Sequence, residues 1–391
     1  MMTERRYDLD WLRIAAFALL TLYHCGMFYV SWDWHVKSSR ASPLIEPLML
    51  LANPWRLGLL FLISGAATRF MADKMPALPF LGARMRRLWP PLLLAIFVIV
   101  PPQSYYEIVE ALGPGSPALE GFYQNYVTGT GAWCDADGCL ATPTYNHMWF
   151  VAYLILYTLA LVTILPLLRR LPGQAMARLL SGPGIFLVPW LFLFLARAWL
   201  FPIFGQTHDF REDWYLHTVY FGLFLLGFGI AKHQPFFEAA VRLRWPMLSL
   251  ALSSWAIIQT WYTLRSDVPA DWELVFFRGI REAQAWSAML AALGFFHRHF
   301  RDRDTPLRRT LSAAIFPFYL IHQTLIVIAG HYLDRLGLPI VIEAGVLIGL
   351  TALGCWLFYE TGRRAGPLRI WIGLASGEKE PAALQRAGQR T

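Results

Sequence analysis

Charge is what this sequence has least of. Of its 391 residues only 15% are Asp, Glu, Lys or Arg, while 56% are hydrophobic. A soluble domain usually carries about 25% charged residues, so the chain cannot clothe a large water-exposed surface, and a sizeable soluble domain is excluded. Four cysteines are too few for a disulfide framework. Two of them, Cys134 and Cys139, sit close together in CDADGC, which leaves a local disulfide and a pair of free thiols both open, whereas Cys25 and Cys355 lie in apolar runs as packing residues. The histidines are too scattered for a zinc-ligand pattern, and no metal is expected. There is no Walker-type phosphate loop, no dinucleotide fingerprint and no Gly-flanked nucleophilic Ser. No internal repeat appears either, which counts against a secondary transporter built from paired halves.

What the chain does have is long apolar runs, at 9–30, 48–70, 88–102, 148–168, 184–205, 215–231, 245–264, 275–296, 311–330 and 340–359. A bilayer span needs about 20 apolar residues, so these predict an all-α, polytopic membrane bundle of about ten helices, the third of them short. The expected organisation is one membrane domain over 1–370 and a polar, disordered cytoplasmic tail over 371–391. The net charge of +8 would suggest nucleic acid in a soluble protein, but its placement points to lipid. With the N-terminus inside, only Lys37, Arg40, Arg211, Arg265 and Arg335 fall on outer segments, and basic stretches such as ARMRRLW at 83–89 fall on inner ones. The positive-inside rule then puts both termini in the cytoplasm. Residues 103–147 contain no Lys or Arg and read as the one long outer loop, of a length that is commonly functional. Asp10 and Arg13, together with the length of the first run, argue that it is retained as a span and is not a cleaved signal.

Arg13, Arg56, Arg197, Arg278 and Arg281 fall inside these runs. Each costs a few kcal/mol, or about 2.5–3.5 on insertion scales, at bilayer depth and is a candidate for function. All but Arg13 come out in the outer half or near the midplane, together with Glu282 and Glu343, which suggests a polar cavity open to the outside. The structural alternative is pairing within the bundle, for example Arg278 with Glu282 one helical turn on. His24 lies eleven residues after Arg13, close to three turns, so the two share a helix face about 16 Å apart along the axis. His322 reaches a similar depth in the ninth run, and His147 stands just before the fourth. A neutral imidazole is a natural acceptor for the proton of an attacking hydroxyl. A phosphate-bearing donor such as acyl-coenzyme A would need cations at the inner mouth, and Arg84, Arg86, Arg87 and Arg13 supply them.

At these residues the sequence resembles the acyltransferase-3 family of bacterial membrane proteins, nearly from end to end. DLDWLRIAAFALLTLYH has the family's Arg and His separated by ten residues, here Arg13 and His24, with Asp10 just ahead; FLISG at 61–65 and RMRRLWPP at 84–91 resemble two further motifs. The chain is most similar to the glucan biosynthesis branch, through WHVKS at 34–38, Arg56, HMWF at 147–150, FYLIHQ at 318–323 and YETGRR at 359–364. It departs from that pattern in the CDADGC segment and in Gln323, where a second His is expected. The resemblance implies ten helices in the bacterial inner membrane, an acyl-coenzyme A donor with succinyl favoured over acetyl, and a periplasmic glucan or related glycan as acceptor. It implies a catalytic group of His24, His322, Arg13 and Asp10, donor contacts from Arg84, Arg86 and Arg87, and acceptor or acyl contacts from Arg56, His147, Trp149, His35, Arg197, Arg278, Arg281 and Glu360. The competing reading is a transporter or flippase that uses the same buried groups to bind an anionic or sugar-linked cargo.

Overall fold

The computed structural model describes residues 6–135, 138–170 and 178–374. A helix lies at every one of the ten apolar runs. In chain order the helices are α1 (Tyr7–Met27), α2 (Glu46–Ala52), α3 (Arg56–Ala72), α4 (Ala77–Leu94), α5 (Pro101–Leu112), α6 (Phe122–Thr128), α7 (Trp149–Arg170), α8 (Gly184–Trp199), α9 (Trp214–Ile230), α10 (Gln234–Leu264), α11 (Asp271–Phe300), α12 (Pro306–Asp334) and α13 (Ile340–Arg363). The only strands among the described residues are Cys134–Asp135 and Gly138–Cys139, paired antiparallel and closed by a Cys134–Cys139 disulfide. The bridge is therefore present. From residue 375 on, the expected tail lies outside the described residues.

Among the described residues six helical stretches are long and apolar enough to cross a membrane, or seven if α9 and α10, bent by 111°, count as one span. α1, with Asp8, Asp10 and Arg13 toward its start, and α11, which carries Arg278, Arg281 and Glu282, are not among them. In α13 only 22% of the apolar window is buried, and Val341, Ile342, Leu353 and Leu357 are exposed. A stripe of that size is stable facing lipid and not facing water.

The chain divides into two compact units. The first comprises the described residues of Met1–Leu19, Pro47–Gly82 and Leu156–Asp304. Small residues set its closest packing: a Cβ on Gly65 would stand 1.9 Å from the Phe224 carbonyl oxygen, and one on Gly227 would stand 1.9 Å from that of Leu62. α3 and α9 thus touch backbone to backbone, each through a glycine of its own. Trp190 and Trp286 tie α8 to α11, donating to the carbonyls of Gly279 and Ile185 at 3.0 Å.

The second unit comprises Leu20–Glu46, Ala83–Ile155 and the described residues of Thr305–Thr391. Its organising feature is a break in the third run. Instead of a short span over 88–102, the chain is helical over 36 residues, Ala77–Leu112, passing through a π turn at Ala95–Ile99. Pro101 and Pro102 have no N–H to give to Phe97 and Val98, and Val100 donates to Ala95 at 2.8 Å in place of Ile96. Three carbonyls at this break are taken up by side chains. Tyr126 donates to Ile96 at 2.9 Å, Tyr123 to Phe97 at 2.8 Å and Thr324 to Ile99 at 2.7 Å. The expected loop 103–147 therefore opens with two and a half turns of α5, since a count of apolar residues stops at Gln103 while backbone bonding continues to Leu112. Thr305 caps α12 by accepting from Arg308 N, with Pro306 at the first helical position.

Gly65→Ala should lower the stability of the purified protein by about 1–3 kcal/mol through overpacking. Gly345→Ala, where a Cβ meets nothing within 4 Å, should not destabilise it. Thermal unfolding of both variants in one detergent checks this, and equal midpoints would contradict the close α3–α9 contact.

Candidate functional site

The second unit gathers four histidines, His24, His322, His147 and His35, into one hydrogen-bonded region. His24 is near the end of α1, His35 is in the following segment, His147 is in the turn before α7 and His322 is in the middle of α12. His24 Nδ1 lies 2.8 Å from His322 Nε2. His322 is fully buried, and its Nδ1 lies 2.8 Å from the Tyr319 carbonyl oxygen, one turn back on its own helix. The His147 ring stands edge-on to it with centroids 5.2 Å apart.

The partners decide the tautomers. A carbonyl only accepts, so His322 must carry its proton on Nδ1, and in the neutral ring Nε2 is then an acceptor. His24 therefore donates from Nδ1, which makes Nε2 the basic nitrogen of its neutral ring. The same reasoning runs through the neighbours. His35 Nδ1 donates to Glu107 at 2.6 Å, and its Nε2 accepts from Gln323 at 2.9 Å. His147 Nε2 donates to the carbonyls of Leu320 and Tyr319 at 3.1 and 3.2 Å, and its Nδ1 faces the Gln103 amide at 3.4 Å. Gln103, fully buried, also donates to Thr324 at 2.7 Å and accepts from Gln323 and Asn146 at 3.1 Å each. Gln323 stands where a second His was expected, and its amide nitrogen serves two acceptors at once, which a neutral imidazole cannot do.

The remaining predicted residues stand elsewhere. Arg13 and Asp10 face each other at 3.6 Å in the first turns of α1. Arg84, Arg86 and Arg87 are on α4, where Nε and Nη2 of Arg84 are buried with no hydrogen-bond partner among the described residues. Trp149 opens α7 and packs on Tyr153 with ring centroids 5.1 Å apart. Glu360 is held by Arg363 at 2.7 Å and Arg364 at 3.2 Å.

Arg56, Arg197, Arg278 and Arg281 belong to the first unit, and there Glu282 is the counter-charge of two of them. It faces Arg197 at 3.5 Å and Arg281 at 3.8 Å, and this replaces the expected Arg278–Glu282 pair. Arg197 also donates to Tyr215 at 2.9 Å, and Arg281 to the Asn53 side chain at 2.9 Å. Arg278 reaches the Ala198 carbonyl at 3.5 Å, and Arg56 reaches that of Asn53 at 3.1 Å. Glu343 is paired with Arg40 in the second unit.

Sequence reading missed Gln103, Glu107, Tyr319, Thr324 and Asn146. Gln103, Glu107 and Glu110 recur at helical spacing, a signal that was unreadable while 103–147 was taken for a loop. Among the described residues no group of three or more His, Cys, Asp and Glu side chains is placed to share a metal ion.

Comparison with known proteins agrees with the chain's membrane character. A family model described as an acyltransferase domain, the third of that name, matches residues 6–360. Glucans biosynthesis protein C from Escherichia coli K12 is 26% identical over 168 residues, which cover 43% of this chain and 40% of the relative, and the proteins of that name from strains SMS-3-5 and O1:K1 match over the same shares. The alignment thus spans about two fifths of the length of these curated relatives. No solved structure matches.

Gln103→Leu would leave the buried groups on Gln323 and Thr324, and the half-buried amide of Asn146, short of a partner, at about 1–3 kcal/mol for each buried one left unsatisfied. Its thermal midpoint in detergent should therefore fall clearly below that of the wild type. An unchanged midpoint would show that the network contributes nothing to the fold.

Proposed function

Because the chain belongs to the acyltransferase-3 family of membrane proteins, we propose that it moves an acyl group from cytoplasmic acyl-coenzyme A to a hydroxyl of a glycan on the outer side of the bacterial inner membrane. Under this reading the helices at all ten apolar runs cross the bilayer, with both termini inside, and the skewed placement of Lys and Arg supports that orientation. The acceptor class draws on the printed name of the glucan relatives. The favoured acyl group, succinyl, draws on the resemblance.

The observation that carries the reading is the His24–His322 pair. The acceptor hydroxyl loses its proton to His24 Nε2 as its oxygen attacks the thioester carbon. The carbon–sulfur bond then breaks, and the imidazolium returns the proton to the departing thiolate of coenzyme A, so the products are the ester and the free thiol. As His24 gains positive charge its Nδ1–H bond to His322 becomes charge-assisted and shortens in energy terms to the stronger class. His322, whose Nε2 accepts from His24, serves as the positioning group and not as an oxyanion donor. Arg13 and Asp10, about three and four turns away on α1, are assigned to the cytoplasmic end of the same path.

His24→Gln keeps a hydrogen-bonding end of similar size but cannot take and carry a proton. At matched protein levels it should slow acyl transfer by about 10²–10⁴-fold, measured as acyl-coenzyme A consumed with a glucan acceptor in detergent. Turnover near that of the wild type would remove the base role. A wild-type protein that consumes no acyl-coenzyme A without a sealed membrane would favour the transporter reading.

The donor phosphates are assigned to Arg84, Arg86 and Arg87. A phosphate oxygen would satisfy the buried guanidinium nitrogens of Arg84, and Lys keeps the charge but loses the planar fork. Arg84→Ala should weaken acyl-coenzyme A binding by about 10–100-fold, in line with 1.5–3 kcal/mol for a bond to a charged group, and Arg84→Lys by less. Calorimetric titration reads both, and wild-type affinity in the Ala variant would return Arg84 to ordinary inner-loop basicity.

A further inference from the structure

The second unit also contains a cavity of about 210 Å³ beside the disulfide hairpin. Its walls include Glu107 from α5, Asp33 from the segment after α1, Trp133, and Cys134, Gly138 and Cys139 of the hairpin. We propose that this cavity is a subsite for one uncharged sugar ring of the acceptor, and that it selects against rings carrying phosphate or carboxylate. This inference rests on the acyl-transfer reading above and deepens it.

Three features support the assignment. The first is charge: among the described residues the lining holds two carboxylates, Asp33 and Glu107, and no Lys or Arg. Lys37, which interacts with Asp33, directs its ammonium to the carbonyls of Met27 and Trp32 at 2.6 and 2.8 Å. Carboxylates accept from sugar hydroxyls and repel anionic substituents.

The second is shape. Sites for drug-sized ligands run to roughly 300–1,000 Å³, so this smaller space suits a single ring. Trp133 offers an apolar wall that is fixed in place: its Nε1 donates to the Ala118 carbonyl at 2.8 Å, and its ring packs with Ile108 and Tyr126. The adjoining hairpin, whose base is held by Leu140 N donating to the Trp133 carbonyl at 2.8 Å, is closed by the Cys134–Cys139 bridge, so the cavity depends on an oxidising compartment, as the outer side of the membrane is.

The third is connection. Glu107 accepts from His35, His35 accepts from Gln323, and Gln323 follows His322 in α12. A ring held by Glu107 is therefore tied through hydrogen bonds to the helix turn that positions the histidine pair. The cavity is also made of the segment in which this chain departs from the glucan pattern, which ties its selectivity to this chain's own sequence.

The test is calorimetry on the full chain in lipid nanodiscs, titrated with a neutral gluco-oligosaccharide and with the same oligosaccharide carrying a uronic acid. The neutral sugar should bind at least about tenfold more tightly, the scale of one bond to a charged group. Asp33→Asn should cost about tenfold in neutral-sugar affinity, and so should the double variant Cys134→Ser with Cys139→Ser or treatment of the wild type with a reductant. Equal binding of the two sugars, or wild-type affinity in both the Asp33→Asn and the double Ser proteins, would overturn the subsite. Acyl-coenzyme A consumption by the wild type separates the two levels: if it proceeds while the variants bind sugar normally, only the subsite falls, and if it is absent, the acyl-transfer reading falls with it.

Discussion

A backbone carbonyl cannot donate a hydrogen bond, and the contact between His322 Nδ1 and the Tyr319 carbonyl therefore decides where the protons of the histidine pair sit. That carbonyl lies one turn back on the same helix, so α12 itself holds the ring, whatever the rest of the chain does. From it follow the acceptor character of His322 Nε2, the donor character of His24 Nδ1, and the basicity of His24 Nε2. Under the proposed reading a second imidazole with a fixed tautomer orients the base, and a neutral pair suits a site at bilayer depth, where a standing charge is expensive.

The supporting shell obeys the same requirement that buried polar groups find partners inside the protein. The π turn, Pro101 and the Gln103 N–H, which turns to Val100, leave the carbonyls of Ile96, Phe97 and Ile99 without their usual helix donors. Each is satisfied by a hydroxyl, and the hydroxyl on Ile99 belongs to Thr324, two residues after His322. The irregular backbone thus anchors α12 to the stretch that carries Gln103 and Glu107. In lipid a defect of this kind survives only if neighbouring side chains repair it, and here the repair also helps to position His322.

How much of this was legible beforehand varies with the kind of signal. His24 and His322 could be singled out because a titratable residue inside an apolar run is conspicuous, and a count of residues along a helix gives depth. The helices themselves followed from apolar runs in the same way. Gln103 and Glu107 could not be read, because they follow the apolar part of their run and hydropathy cannot distinguish a polar helix extension from a loop. Gln323 could be seen to depart from pattern, but its task of serving His35 and Gln103 together depends on three segments meeting. The Cys134–Cys139 bridge was open from sequence since adjacency permits a disulfide without requiring one.

The buried arginines show where a count of charges misleads. Four cations at outer depth read as a ready site for the terminal carboxylate of a succinyl group, yet Glu282 lies within 3.5 Å of Arg197 and 3.8 Å of Arg281. An internal carboxylate already supplies what a substrate carboxylate would supply, and a buried pair that loses one partner is destabilised by about 3–5 kcal/mol. Displacing Glu282 with a ligand would therefore work against the fold. With Arg197 and Arg281 held by Glu282, the electrostatic case for an anionic acyl group narrows from four residues to two, Arg56 and Arg278, which reach the carbonyls of Asn53 and Ala198. The preference for succinyl then rests chiefly on resemblance, while the transfer chemistry rests on the histidines, and the two can stand or fall separately.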